Sequence, residues 1–112
     1  MSDLRARLDA VCATLRGAEK SDPWGGGHDA WKVGGKMFAC IGATNPGVSV
    51  KCPDVETAQM LIESGVGTKA PYFHASWVHL PDDVETAELE HRVRTAYEVI
   101  RDKLPKKTRE AL

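Results

Sequence analysis

Gly34 and Gly35 separate two apolar runs, Trp31-Lys32-Val33 and Met37-Phe38-Ala39-Cys40-Ile41. Two consecutive residues free to take positive φ make a two-residue turn whose twist matches its flanking strands. This pair therefore commits the stretch Trp31–Cys52 to antiparallel sheet, with Val48-Ser49-Val50-Lys51-Cys52 as a third strand. The register predicts Val33 opposite Lys36, Lys32 opposite Met37 and Trp31 opposite Phe38, an aromatic pair worth roughly 0.2–1 kcal/mol over Ala–Ala. Period two then puts Trp31, Val33, Lys36, Phe38 and Cys40 on one face and Lys32, Met37, Ala39 and Ile41 on the other. Both faces carry apolar side chains, so cover is expected on both sides. On the third strand, Val48, Val50 and Cys52 alternate with Ser49 and Lys51, one face packed and one solvated.

The flanking segments supply helices and a second hairpin. Leu4, Leu8, Val11, Cys12 and Leu15 recur at helical spacing over residues 2–16, with Ser2 or Asp3 as cap and Gly17 as stop. Residues 17–30, containing Asp22-Pro23 and Gly25-Gly26-Gly27, read as a loop. The triple glycine is not a phosphate loop, because a strand follows it and no G-K-[ST] is present. Trp24 stands in this loop, where an indole folds back on the core or lines a groove. A second turn lies at Asn45-Pro46-Gly47. Asp54 caps a helix over residues 55–64, with Val55, Ala58, Leu61 and Ile62 inward. Strands are expected near residues 69–73 and 77–80 around a turn at His74-Ala75-Ser76. A last long helix spans about residues 84–103, opened by an Asp82/Glu85 capping box and carrying Leu89, Val93, Ala96, Tyr97, Ile100 and Leu104 inward. Pro105 ends it, and the tail adds one further turn.

A chain of 112 residues with 42% apolar and 28% charged residues is one α+β domain by expectation, able to bury roughly 65% of its unfolded surface. No apolar run approaches the ~20 residues of a membrane span. The N-terminus lacks the charged-then-apolar order of a signal peptide, so the expected location is cytoplasmic. The formal net charge of -1 excludes a global basic field, although a local patch can still act. Cys12, Cys40 and Cys52 lie in three elements without a C-x-x-C and read as buried thiols in a reducing compartment.

Chemistry-bearing constellations are sparse. His28, His74, His79 and His91 show no i, i+4 helical pair and no acidic or thiol partner at ligand spacing, so no metal site is expected. Ser49 and Ser76 lack a nucleophile elbow, and mid-strand cysteines in apolar surroundings tend to be inert. No catalytic residue and no cofactor are expected. The stronger signal is electrostatic. Asp82, Asp83, Glu85, Glu88 and Glu90 precede Arg92, Arg94, Arg101, Lys103, Lys106, Lys107 and Arg109. This gradient matches the macrodipole of the last helix at ~0.3–1 kcal/mol per well-placed charge. Its basic end also offers a phosphate-contacting patch, Arg101, Lys103, Lys106, Lys107 and Arg109, joined by the sheet residues Lys32, Lys36 and Lys51. Trp24, Trp31, Phe38 and Trp77 are candidates for an aromatic groove if exposed.

The order helix, three strands, helix, two strands, helix resembles the MmcQ/YjbR-like family of small bacterial proteins. Trp24-Gly25 followed by Trp31-Lys32-Val33-Gly34-Gly35-Lys36-Met37-Phe38-Ala39 is similar to the family's aromatic-x-V-x-G-K-x-F-A hairpin. Val48–Cys52 is similar to its third strand, and Ala70-Pro71-Tyr72 with Trp77-Val78 to its A-P-Y…W-V segment. Tyr97 and Lys103-Leu104-Pro105 are similar to its C-terminal segment. The resemblance implies an α+β domain, and a family commonly labelled DNA-binding, with no catalytic residues to carry over. The expectation is a non-enzymatic domain that contacts duplex DNA phosphates through Lys and Arg. The alternatives are an interaction module, including a homodimer, and a small-ligand-binding domain.

Overall fold

The computed structural model describes residues 3–44 and 46–112. Ser2, one of the two candidate caps, and Asn45 of the second turn lie outside the described residues. The element order is α1 (Leu4–Cys12), β1 (Ala18–Ser21), β2 (Asp29–Val33), β3 (Lys36–Ile41), β4 (Val48–Lys51), α2 (Val55–Glu63), β5 (Thr68–Lys69), β6 (Trp77–Leu80), α3 (Thr86–Asp102) and α4 (Lys106–Glu110). All six strands join one antiparallel sheet in the order β1-β2-β3-β4-β6-β5. This is the α+β architecture read from the sequence.

Helices α1, α2 and α3 contribute to the core cluster that covers one face of the sheet. Leu8 of α1, Ala58 and Leu61 of α2, and Leu89, Val93 and Ala96 of α3 meet Val33, Phe38, Val48, Val50, Val78 and Leu80 in one continuous core. Phe38 packs edge-on against Tyr97, with ring centroids 5.6 Å apart at 80°. Tyr97 is buried and its hydroxyl donates to the Arg16 carbonyl, so the ring's polar tip is satisfied. Two arginines fasten α1 to the other elements. Arg5 reaches Asp29 at 3.0 Å and donates to the Gly42 carbonyl, and Arg7 donates to the carbonyls of Val84 and Asp82.

The hairpin turns at Gly34 (φ 58°) and Gly35 (φ 81°), with Val33 opposite Lys36 and Lys32 opposite Met37 as expected. The register then shifts. A bulge between Trp31 and Lys32 sets Trp31 opposite Ala39 and leaves Phe38 as the extra residue, so the Trp31–Phe38 cross-strand pair does not form. The bulge also reassigns faces. Ala39 and Ile41 join Trp31, Val33 and Phe38 in the core cluster, while Cys40, in register with Ser49, turns to the opposite face. A strict period-two reading misplaces all three because one added residue inverts the alternation beyond it.

Further expectations change. Residues 18–21, read as loop, form edge strand β1, whose side chains are exposed apart from the half-buried Ala18. Ala-Glu-Lys-Ser carries no strand pattern; pairing with β2 creates the strand. The strand expected near residues 69–73 is only Thr68–Lys69, and residues 70–76 loop over the sheet face opposite the helices, laying Phe73 on Trp77 (4.4 Å, 22°). Ser49, expected on a solvated face, is consequently only 4% exposed. Helix α3 begins at Thr86 rather than near residue 84, and Glu85 makes no side-chain capping bond. The Asp82/Glu85 capping box is absent, because the later start makes Glu85 itself the N-cap, while the carbonyls of Val84 and Asp82 accept from Arg7. Ile62 is 37% exposed rather than inward. Asp3 and Asp54 cap α1 and α2 through the backbone amides of Arg5 and Thr57, and α4 supplies the expected final turn.

Candidate nucleic-acid interface

The strand directions and α3 together separate charge along the molecule. Strand β2 ends at Val33 opposite Lys36, and β4 ends at Lys51 opposite Trp77, so these residues share one end of the sheet. Helix α3 finishes there as well: Leu104, just beyond it, packs on Gly34, where an added Cβ would lie 2.5 Å from Leu104 Cδ1. The opposite end brings Asp82, Asp83 and Glu85 beside Asp3 and residues 41–44. The acids that precede α3 and the bases that follow its midpoint thus lie at opposite ends of the sheet, with Arg5 and Arg7 standing among the former and Glu110 among the latter.

At the basic end, Arg101 of α3 and Lys106 and Arg109 of α4 line a hollow of about 370 Å³ with Arg16 and Glu110. Arg16 comes from the α1–β1 connection and its Nε donates to the Leu112 carbonyl at 2.7 Å. Sequence order gave no hint of Arg16, which is some ninety positions from α4; only its proximity in the fold recruits it. The local ion pairs here are loose: Arg101–Asp102 and Lys106–Glu110 each span 3.9 Å between exposed groups, contacts worth about 0–1 kcal/mol. Earlier on α3 the bases are better occupied. Arg92 pairs with Glu88, and Arg94 pairs with Glu90 at 3.1 Å while donating to Thr14. The free cationic capacity therefore concentrates after the helix midpoint.

The remaining predicted contacts divide. Lys51 lies close enough to Lys103 for that charge to act on it. Burial first, and Lys103 second, push its pKa below the usual lysine value. Lys51 Nζ donates to the buried Ser76 hydroxyl, which in turn donates to His74 Nδ1 at 2.9 Å; the Ser76 amide donates to the same nitrogen at 3.1 Å. Lys36 is exposed at the hairpin turn and Lys107 is exposed on α4. Lys32 is half-buried, pairs with Glu19 and Met37 in the ladder, and lies one residue in from the turn. Lys32 and Lys36 do not form one stripe, as their register predicts.

The four aromatic candidates do not share a groove. Trp31 and Phe38 belong to the core under the helices, and Trp77 is covered by Phe73 on the other face. Trp24 is 61% exposed and lines a surface hollow on the face away from the helices. The division follows the faces of the sheet: Trp31 and Phe38 share the helix-covered face with Val33, whereas Trp77 lies on the opposite one. Lys20 sits 5.8 Å over the Trp31 ring and bonds both carboxylate oxygens of Asp9 at 3.1 Å, closing the core beneath edge strand β1.

All three cysteines are buried and free. Burial raises the thiol pKa of Cys40 and Cys52, and pushes Cys12 up to about 12, which suppresses the reactive thiolate. The histidines serve separate local contacts. His28 closes a loop, His74 meets Ser76, His79 meets Ser49, and His91 is exposed on α3.

A family model described as YjbR matches residues 13–99. The crystal structure of Deinococcus radiodurans protein DR2400, with a domain described as DUF419, superposes with a TM-score of 0.84 at 22% identity. The match covers 99% of this chain and 88% of that one. At that identity the likeness speaks for the fold. A comparison with curated proteins finds no match. Among the described residues no helix is long and apolar enough to cross a membrane.

Proposed function

The chain belongs to the YjbR family, and on that premise we propose a non-enzymatic DNA-binding domain that grips duplex phosphates with its basic end. The observation carrying this reading is the convergence of Arg16, Arg101, Lys106 and Arg109 on one hollow, at the end of the sheet that also bears Lys36, Lys51 and Lys103. A net charge of -1 supplies no global attraction, so binding depends on this local field. Arginine forks and lysine ammonium groups contact phosphate oxygens, positioning the duplex without reading its bases. The β2–β3 hairpin, tipped by Gly34-Gly35 and flanked by Lys32 and Lys36, acts as a wing beside the same surface. The domain needs no cofactor for this and works in the cytoplasm.

The test is a salt titration of binding to duplex DNA. Each neutralised phosphate contributes a slope of about -0.9 in log K against log salt, so the expected slope is several times that value. The double substitution Lys106→Ala and Lys107→Ala is expected to flatten it by about 1–2. Affinity weaker than ~10⁻⁴ M at low salt, or a slope near zero, overturns the reading.

A further inference from the structure

We propose that the hollow on the helix-free face of the sheet binds an uncharged planar heteroaromatic ring of the nucleobase class. Its volume is about 520 Å³, within the range of small-molecule pockets. The floor is built by three adjacent strands, whose register aligns Cys40 of β3, Ser49 of β4 and His79 of β6. The walls are aromatic and come from two loops, Trp24 and His28 on one side, Tyr72 and Phe73 on the other.

Both walls are held before any ligand arrives. Asp22 accepts the backbone amides of Gly27 and His28 at 2.9 and 3.1 Å, and His28 Nδ1 donates to the Gly25 carbonyl. Positive φ at Gly25, Gly26 and Gly27 lets the loop wrap this way. The Trp24 ring then meets His28 edge-on at 5.1 Å and 63°. Across the hollow, Phe73 is fixed by stacking on Trp77. Between Pro71 and Phe73, Tyr72 takes a left-handed backbone (φ 69°) and leaves its side chain fully exposed at the rim. A fully solvated tyrosine in that conformation gains nothing from the core; a ring entering the hollow would give it a partner.

The polar groups decide the class of ligand. None of the described residues lining the hollow carries a carboxylate, ammonium or guanidinium group, so a charged occupant would lack a counter-ion. His79 Nε2 lies 2.8 Å from the Pro46 carbonyl, which can only accept, so that nitrogen holds the proton. Nδ1 is then an acceptor and takes the Ser49 hydroxyl proton at 2.9 Å. Ser49 is left with oxygen lone pairs, an acceptor for a ring N–H or exocyclic amino group. Aromatic walls stack a planar ring, and this oxygen reads a donor on its edge.

Such a ring reaches the site either as a free nucleoside or as an unstacked base of a single strand. The experiment titrates the full chain by calorimetry with adenosine, guanosine, cytidine and uridine. In parallel it uses a short single-stranded oligonucleotide and the same strand with one abasic position. Saturable binding of a nucleoside, or of the strand but not its abasic form, is expected; the first identifies a free ligand and the second a nucleic-acid base. Trp24→Ala and Ser49→Ala are each expected to weaken it roughly tenfold. Trp24 is exposed, so its variant remains folded even if Ser49→Ala does not. Absence of saturation with every nucleoside and strand, or equal affinity of the abasic strand when no nucleoside saturates, overturns the proposal. So does unchanged affinity in Trp24→Ala. The residues tested do not line the hollow beside α4, so duplex binding and its salt slope can fail or succeed independently.

Discussion

Asp22 shows how much one side chain can organise. It has no hydrophobic role, yet it gathers the amides of Gly27 and His28 and closes the loop that presents Trp24. Its carboxyl lies below the usual carboxylate pKa because the Gly27 and His28 amides and the nearby His28 ring favour the charged form. The sign follows directly. A depressed folded-state pKa gives stabilisation that is present above the unfolded value of ~3.9 and is lost as pH falls through the folded value. Acidification below about pH 4 is therefore expected to loosen this loop first, and Asp22→Ala is expected to do so already at neutral pH. Trp24 emission reports it, since Trp31 and Trp77 are buried; a wild-type and variant spectrum that coincide at pH 7 would contradict it.

The elements show where pattern reading succeeds and where it stops. Apolar spacing places the three long helices correctly to within a few residues, because a helix needs one continuous apolar stripe and its sequence carries that stripe alone. Edge strand β1 has no such signature; its reason to exist is the neighbouring β2 backbone. The bulge at Phe38 is equally silent in the sequence, since it arises from fitting Trp31, Phe38 and Ala39 together under α3. Two consequences are measurable in denaturant unfolding. Phe38→Ala, at a fully buried bulge position, is expected to lose about 3–5 kcal/mol. Met37→Ala, half-buried on the other face, should lose roughly 1 kcal/mol or less. Gly34→Ala meets both a positive φ and the Leu104 side chain, and is expected to cost more than Gly35→Ala, which has open space around it, by about 1 kcal/mol. Equal losses at the two glycines would show that α3 does not lean on the hairpin.

At the scale of the molecule, the fold sets the basic end of α3 beside the end of the sheet that bears Lys36 and Lys51. Lys51 records the field there. Burial and Lys103 hold its pKa below the ordinary lysine value, so the folded chain gives up this proton before the unfolded chain does. Stability from this group therefore rises with pH between the folded value and ~10.5. A phosphate bound at the basic end would favour the protonated form and raise that pKa. Duplex affinity is accordingly expected to hold at neutral pH and to fall as pH rises through the free-state value of Lys51. In Lys51→Arg, which stays charged, the fall should vanish; an identical pH profile in the variant would remove Lys51 from the interface.

By itself the sequence determined the α+β class, the glycine hairpin, the helix stripes and the family, because each is written in local spacing and turn chemistry. It also located most of the bases now found at one end, though not Arg16, whose membership depends on a chain reversal. The tertiary structure alone decided which face each strand residue occupies beyond the bulge, which aromatics are core, and that Trp24, Ser49, His79 and Tyr72 surround one hollow. The physical reason is one of range. Turns and helical stripes are set by interactions within a few residues, whereas burial of Trp31 and exposure of Trp24 depend on what α1, α3 and the 70–76 loop leave uncovered.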